Sequence, residues 1–254
     1  MNEKSEERLS DIVQISRQYQ RSIRVDADIG RVDALSGYIC HATAGSVVDV
    51  MCEQLSGTNQ RCFTWTGPFG GGKSSLAVAL ASALHPDKNL RAKARQVLHL
   101  NSKPAFDIAF PVRKGWLIVP VVGRRGSVVA ALHAALRHAE GRSVDGRSKA
   151  NSQTLIAELL DEAKNRSHDG VLVIVDEMGK FLEASALGAG DDVYFFKSSP
   201  KQPPAQRVVW WLWAYCTNHL RSIPLVLGST PVMIGPRCKA ATSICRSSLL
   251  VMKS

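Results

Sequence analysis

One lysine, one serine and two adjacent acids carry the chemistry this chain could do. Lys73 and Ser74 close the run Gly67-Pro68-Phe69-Gly70-Gly71-Gly72-Lys73-Ser74, which fits the pattern G-x-x-x-x-G-K-[ST] at every fixed position. A loop of this kind wraps a polyphosphate. Its glycines carry no Cβ, so successive backbone N–H groups can turn inward toward the anion. The candidate binding residues are Gly67, Phe69, Gly70, Gly71, Gly72, Lys73, Ser74 and Ser75. In such a loop the lysine reaches the β- and γ-phosphates and the serine hydroxyl ligates Mg²⁺. The acids are Asp176 and Glu177. Asp176 is a candidate Mg²⁺ ligand, directly or through water, beside Ser74. Glu177 is a candidate base for an attacking water. Lys73 and Glu177 are thus the candidate catalytic residues.

These side chains need elements to hold them. Arg61-Cys62-Phe63-Thr64-Trp65-Thr66 is rich in aromatic and β-branched residues and predicts a strand leading into the glycine loop. Ser75 to Leu84 is rich in Ala and Leu and predicts a helix leaving it. The helix N-terminus would add unpaired N–H groups and partial positive charge. Val171-Leu172-Val173-Ile174-Val175 predicts a strand buried on both faces, with the two acids at its C-terminal end. Open α/β sheets bind ligands at that end.

GPFGGGKS together with VLVIVDE resembles the Walker A and Walker B motifs of P-loop NTPases. The Glu directly after the Walker B Asp is similar to the branch with an extra strand between the two motifs, which includes AAA+ and STAND-type ATPases. The longer strings TWTGPFGGGKSSLA and DEMGKFLE resemble the ATP-binding region of large bacterial AAA-like proteins, some associated with phage defence. The resemblance covers roughly residues 20–196. It implies ATP rather than GTP, Mg²⁺ as the metal, and an α/β three-layer sandwich with a mostly parallel sheet.

Composition sets further bounds. The chain has 254 residues, enough for one substantial core. MNEKSEER is charged and no apolar run follows it, so no signal peptide is expected. No apolar run approaches the roughly 18 residues that span a bilayer. No membrane partner is expected on that ground, and the six cysteines, scattered without a C-x-x-C pair, predict a reduced, cytoplasmic protein. Cys40-His41 is too sparse to predict a metal site. The net charge of +10 invites a nucleic-acid reading, but its distribution argues otherwise. Residues 1–192 hold 24 Lys and Arg against all 22 Asp and Glu, a balance of +2. Residues 193–254 hold 8 Lys and Arg and no acid. The body of the chain therefore does not support a nucleic-acid partner.

Along the chain, residues 1–58 predict a helical lead-in, with amphipathic spacing over 5–20 and again from His41 to Leu55. Residues 21–42 give no clear pattern. After the glycine-loop helix, Pro86-Asp87 restarts the chain and Asn89 to Leu100 predicts a basic helix. Residues 101–114 predict a connector. Trp116 to Val122 predicts a strand in which Pro120 demands a bulge or an exposed edge. Arg124 and Arg125 follow, as phosphate or partner contacts or as plain surface arginines. Ser127 to Glu140 and Ser152 to Arg166 predict helices. Met178 to Glu183 predicts loop or helix, with Lys180 near enough to brace Glu177 or simply solvated. Alternating strands and helices predict a largely parallel sheet over a core of residues 59–196, incomplete as an NTPase.

Residues 197–254 predict an irregular basic tail. Six of eleven prolines and three of five tryptophans fall there, and helical periodicity is lost. We read the tail as a frameshifted translation or as disordered. Shifting the frame by one base, with permitted codons, turns 197–203 into QELAEAA and 208–220 into GRVVVVGILHQSF. Those strings are a helix and a buried strand with a polar end, which resemble what the family has at this point. The other reading is a genuine basic, aromatic appendage for single-stranded nucleic acid. Val208 to Tyr215 keeps strand character in either frame, with Thr217 or Asn218 able to imitate a sensor residue.

The expected function is ATP binding with Mg²⁺-dependent hydrolysis, as part of a larger ATPase, with a homo-oligomer or larger assembly as partner. The alternatives are a nucleotide-dependent switch or assembly module, a kinase, and an inactive truncated product.

Overall fold

The computed structural model describes residues 22–58, 61–67, 70–143, 151–165, 167–188 and 190, together with the backbone of four short strands between 208 and 251. The predicted helix over 5–20, residues Pro68 and Phe69, and Thr217 and Asn218 lie outside the described residues.

The chain is mixed α/β, with a small sheet of parallel strands and several helices. The described part begins with α1 (Val25–Asp28) and a 3₁₀ turn (Asp33–Leu35), which the sequence pattern did not suggest. Helix α2 (Ala42–Gly57) buries Val47, Val48, Met51 and Leu55, the spacing that predicted it. Strand β1 (Cys62–Thr66) enters the glycine loop and α3 (Lys73–Ala83) leaves it. Every residue of α3 from Leu76 to Ala83 is buried, all but Ser82 apolar, so this part of the helix is covered on every side.

Helix α4 (Lys88–Val97) is capped by the Asp87 side chain, which accepts from the Asn89 and Leu90 N–H groups at 2.7 and 3.1 Å. The expected connector over 101–114 contains a further short helix, α5 (Pro104–Ala109). Proline at its first position suits a helix start. Burial of Phe106 and its ring contact with Phe110, centroids 5.0 Å apart, hold α5 in place.

Among the described residues strand β2 (Leu117–Val122) pairs only with β3 (Val171–Asp176), in unbroken parallel register from Leu117–Val171 to Val122–Asp176. Pro120 therefore sits on an edge strand without a bulge. A proline is tolerated there because its missing N–H faces no neighbouring strand. Between β2 and β3 lie α6 (Val128–Ala139), capped by Ser127, and α7 (Ser152–Lys164), capped by Asn151. Helix α8 (Met178–Ala186) follows β3, which resolves the loop-or-helix ambiguity there.

All six residues of β3 are buried, and the five apolar ones alternate between two apolar clusters. Leu172 and Ile174 join Phe63 and Trp65 of β1 with residues of α2 and α3. Val171, Val173 and Val175 join Leu132 and Leu136 of α6, Leu155 and Leu159 of α7, and Phe181 of α8. Val25, Leu35 and the buried face of α2 belong to the first cluster, so the helical lead-in shares its core with β1 and α3.

The tail is less irregular than its composition predicts. Backbone strand β4 (Val208–Leu212) lies between β1 and β3, parallel to both. Strands β5 (Pro224–Leu227) and β6 (Thr230–Met233) form an antiparallel pair, and β7 (Leu249–Val251) runs parallel to β1 on its other side. The sheet order is β2-β3-β4-β1-β7. Apolar, β-branched segments satisfy their backbone groups by pairing with β1 and β3, which offer unpaired edges.

Candidate functional site

The glycine loop and the acid-bearing strand end at the same edge of the sheet. Gly70 and Gly72 both take φ of +73°, and Gly72 is the residue from which α3 starts. A Cβ on either would meet nothing within 4 Å, so glycine is needed for backbone conformation and not for space. The loop thereby presents Gly70, Gly71, Gly72, Lys73, Ser74 and Ser75 to one cavity. Gly67 lies buried behind them, and its carbonyl accepts a hydrogen bond from Lys73 Nζ at 3.1 Å.

Ser74 and Asp176 meet across 102 residues of sequence: Ser74 Oγ donates to Asp176 Oδ2 at 3.0 Å. The other carboxylate oxygen, Oδ1, accepts the Glu177 N–H at 2.9 Å. Asp176 is only 7% exposed. Burial raises its carboxyl above the ordinary value, and the nearby Glu177 charge adds to that. The Ser74 and Glu177 hydrogen bonds and the Lys73 charge pull the other way.

Glu177 occupies a left-handed backbone conformation, φ 52° and ψ 39°. Such a conformation costs a non-glycine residue on the order of 1–3 kcal/mol, so the surroundings must enforce it. Gly123, directly after β2, lets the two backbones approach closely enough to hold it. Its N–H donates to the Asp176 carbonyl at 2.7 Å. A Cβ on Gly123 would lie 2.0 Å from the Glu177 carbonyl oxygen. The Glu177 side chain pairs with Lys180 one turn into α8, so Lys180 does brace this carboxylate while remaining half exposed.

The cavity, about 340 Å³, is completed by Val122 and by Ser22, Ile23 and Arg24 from the start of the described chain. Of the sequence candidates, Gly70 through Ser75, Asp176 and Glu177 come together here. Gly67 supports Lys73 from outside the cavity, and Phe69 is outside the described residues. Arg124 and Arg125 do not line the cavity; Arg125 is largely exposed and lies 3.6 Å from Glu183. Sequence reasoning missed Ser22 to Arg24 and Gly123. The glycine immediately after a strand that pairs with the acid-bearing strand was the available signal for the latter.

Among the described residues no group of three or more His, Cys, Asp or Glu could hold a metal by itself. The donors present, one hydroxyl and one carboxylate, fit Mg²⁺, which takes one or two carboxylates and completes its shell with water and substrate phosphate. No helix among the described residues is long and apolar enough to cross a membrane.

No family model, curated protein or solved structure matches this chain.

Proposed function

We propose that this chain is the ATP-binding domain of a P-loop NTPase, built as a three-layer α/β sandwich, which hydrolyses the γ-phosphate of Mg·ATP. The observation that carries this reading is the Ser74–Asp176 hydrogen bond at the mouth of the glycine loop. Residue types that a phosphate loop and a metal-holding strand require meet at 3.0 Å, although 102 positions separate them. The backbone strand between β1 and β3 supports the same reading, since the resemblance implies one there.

In this mechanism the loop N–H groups and the start of α3 receive the phosphates. Lys73 exchanges its Gly67 carbonyl for a phosphate oxygen. Ser74 and Asp176 would hold Mg²⁺, which neutralises phosphate charge when bound. Glu177 orients a water and takes its proton, from a backbone position held by Gly123. Burial of Asp176 limits competing solvent at the metal side.

The test is equilibrium binding of ATP and ADP together with phosphate release. Lys73→Ala is expected to abolish or severely weaken nucleotide binding. Glu177→Gln is expected to keep binding and to lose turnover. Unchanged hydrolysis by Glu177→Gln removes Glu177 from its role, and unchanged binding by Lys73→Ala removes the reading altogether. The Lys180–Glu177 ion pair favours a second reading, a switch with slow turnover, because the ammonium competes with water for the carboxylate. Elution size that differs between ATP and ADP, with little phosphate release, distinguishes that case.

A further inference from the structure

One wall of the cavity comes from neither motif. We infer that Arg24 is a specificity-determining phosphate contact, a guanidinium supplied from within the chain that reads the terminal phosphate and so separates nucleoside triphosphate from diphosphate. This rests on the reading of the site as a nucleotide site.

Arg24 lines the same cavity as Gly70 to Ser75, Asp176 and Glu177. Its backbone is pinned. Val25 is fully buried, and Asp28, 2% exposed, accepts the Arg24 N–H at 2.8 Å. Helix α1 packs on both β2 and α3, the elements that carry Gly123 and Lys73 at their site ends. The Arg24 side chain nonetheless remains 61% exposed. A residue that lines the cavity, anchored through its backbone and with a largely exposed cation, is arranged to meet something that arrives.

The guanidinium is also pre-oriented. Asp26 takes Nε at 3.1 Å and Nη2 at 2.6 Å, a fork that fixes the plane of the group. That uses two of its five N–H donors and leaves those on Nη1 directed elsewhere. The Asp26 hydrogen bond and charge raise the Arg24 pKa above the ordinary value, with smaller contributions from Asp28 and Glu177. Val122, at the end of the strand on which α1 packs, and Glu177, which stands where water attacks the terminal phosphate, line the cavity with Arg24, and this wall is the γ side of the ligand. The planar fork suits phosphate oxygens better than an ammonium would. A diphosphate does not extend to that end, and Arg24 then keeps only its Asp26 partner.

The experiment measures Mg·ATP and Mg·ADP dissociation constants for the wild type, Arg24→Ala, Arg24→Gln and Arg24→Lys, with thermal melting of each. The loss of a charge-assisted hydrogen bond is expected to weaken ATP about tenfold to a hundredfold. ADP is expected to stay within about twofold, because the lost contact lies beyond its last phosphate. Arg24→Lys is expected to recover part of the ATP affinity. If Arg24→Ala unfolds, Arg24→Gln, which keeps much of the stem, decides. Arg24 variants with the wild-type ratio of ATP to ADP affinity overturn the inference while leaving the nucleotide site standing. Wild-type protein that binds neither nucleotide overturns the site reading as well.

Discussion

Replacing Gly123 by alanine tests how the site holds Glu177. A Cβ at this position would lie 2.0 Å from the Glu177 carbonyl oxygen, 2.7 Å from its carbonyl carbon and 3.1 Å from the Asp176 carbonyl oxygen. These neighbours are backbone atoms and cannot swing aside as a side-chain tip would. Relieving the contact requires the Glu177 peptide to move by about 1 Å or more. Overpacking of this kind costs roughly 1–3 kcal/mol. In a chain of this size that lowers the melting temperature by about 2–12 °C. A shift of about 1 Å in a catalytic group costs on the order of a hundredfold in turnover. Nucleotide affinity should change little, because Gly70 to Ser74 sit on a different element. The assay is steady-state phosphate release beside ATP binding and thermal melting. Wild-type melting and wild-type turnover in Gly123→Ala would refute the claim that this close approach sets Glu177. A lowered melting temperature with unchanged turnover would show instead that the position of Glu177 does not matter to the chemistry.

Two further outcomes separate site from scaffold. Burial holds the Asp176 carboxyl above its ordinary value, so the folded chain keeps this proton at pH values where the unfolded chain has released it. Without nucleotide, the contribution of this group to stability therefore falls as pH rises from the ordinary carboxylate value through the raised one. Asp176→Asn is expected to raise the melting temperature of the nucleotide-free protein at neutral pH and to flatten that fall, while losing Mg²⁺-dependent ATP binding; a lower melting temperature at neutral pH would contradict it. Asp169 accepts the N–H groups of Arg113, Lys114 and Gly115 at 2.6, 2.6 and 2.8 Å, at the end of β2 and β3 away from the cavity. Asp169→Ala strands these donors and should cost about 3 kcal/mol or more, roughly 10 °C of melting temperature, with ATP affinity unchanged in protein that remains folded.

What the sequence determined by itself was local. Gly70 and Gly72 were legible because a left-handed turn needs a residue without Cβ, whatever surrounds it. Strand β3 was legible because five consecutive apolar residues leave no polar face to expose, and all of them are buried. Pro120 narrowed β2 to a bulge or an edge because a missing N–H cannot serve an inner strand, and the sheet order made it the edge. The tertiary structure decided the rest. Ser74 touches Asp176 only because the chain crosses from one parallel strand to another and returns to the same sheet edge. Glu177 holds its left-handed conformation beside β2 only because Gly123, just past that strand, has no Cβ to collide with its carbonyl. Arg24 reaches the cavity only because Val25 and Asp28 are buried against elements far along the chain. Steric preference acts within a few residues and is written in residue type. Juxtaposition depends on how distant apolar faces pack, and no short window of sequence contains it.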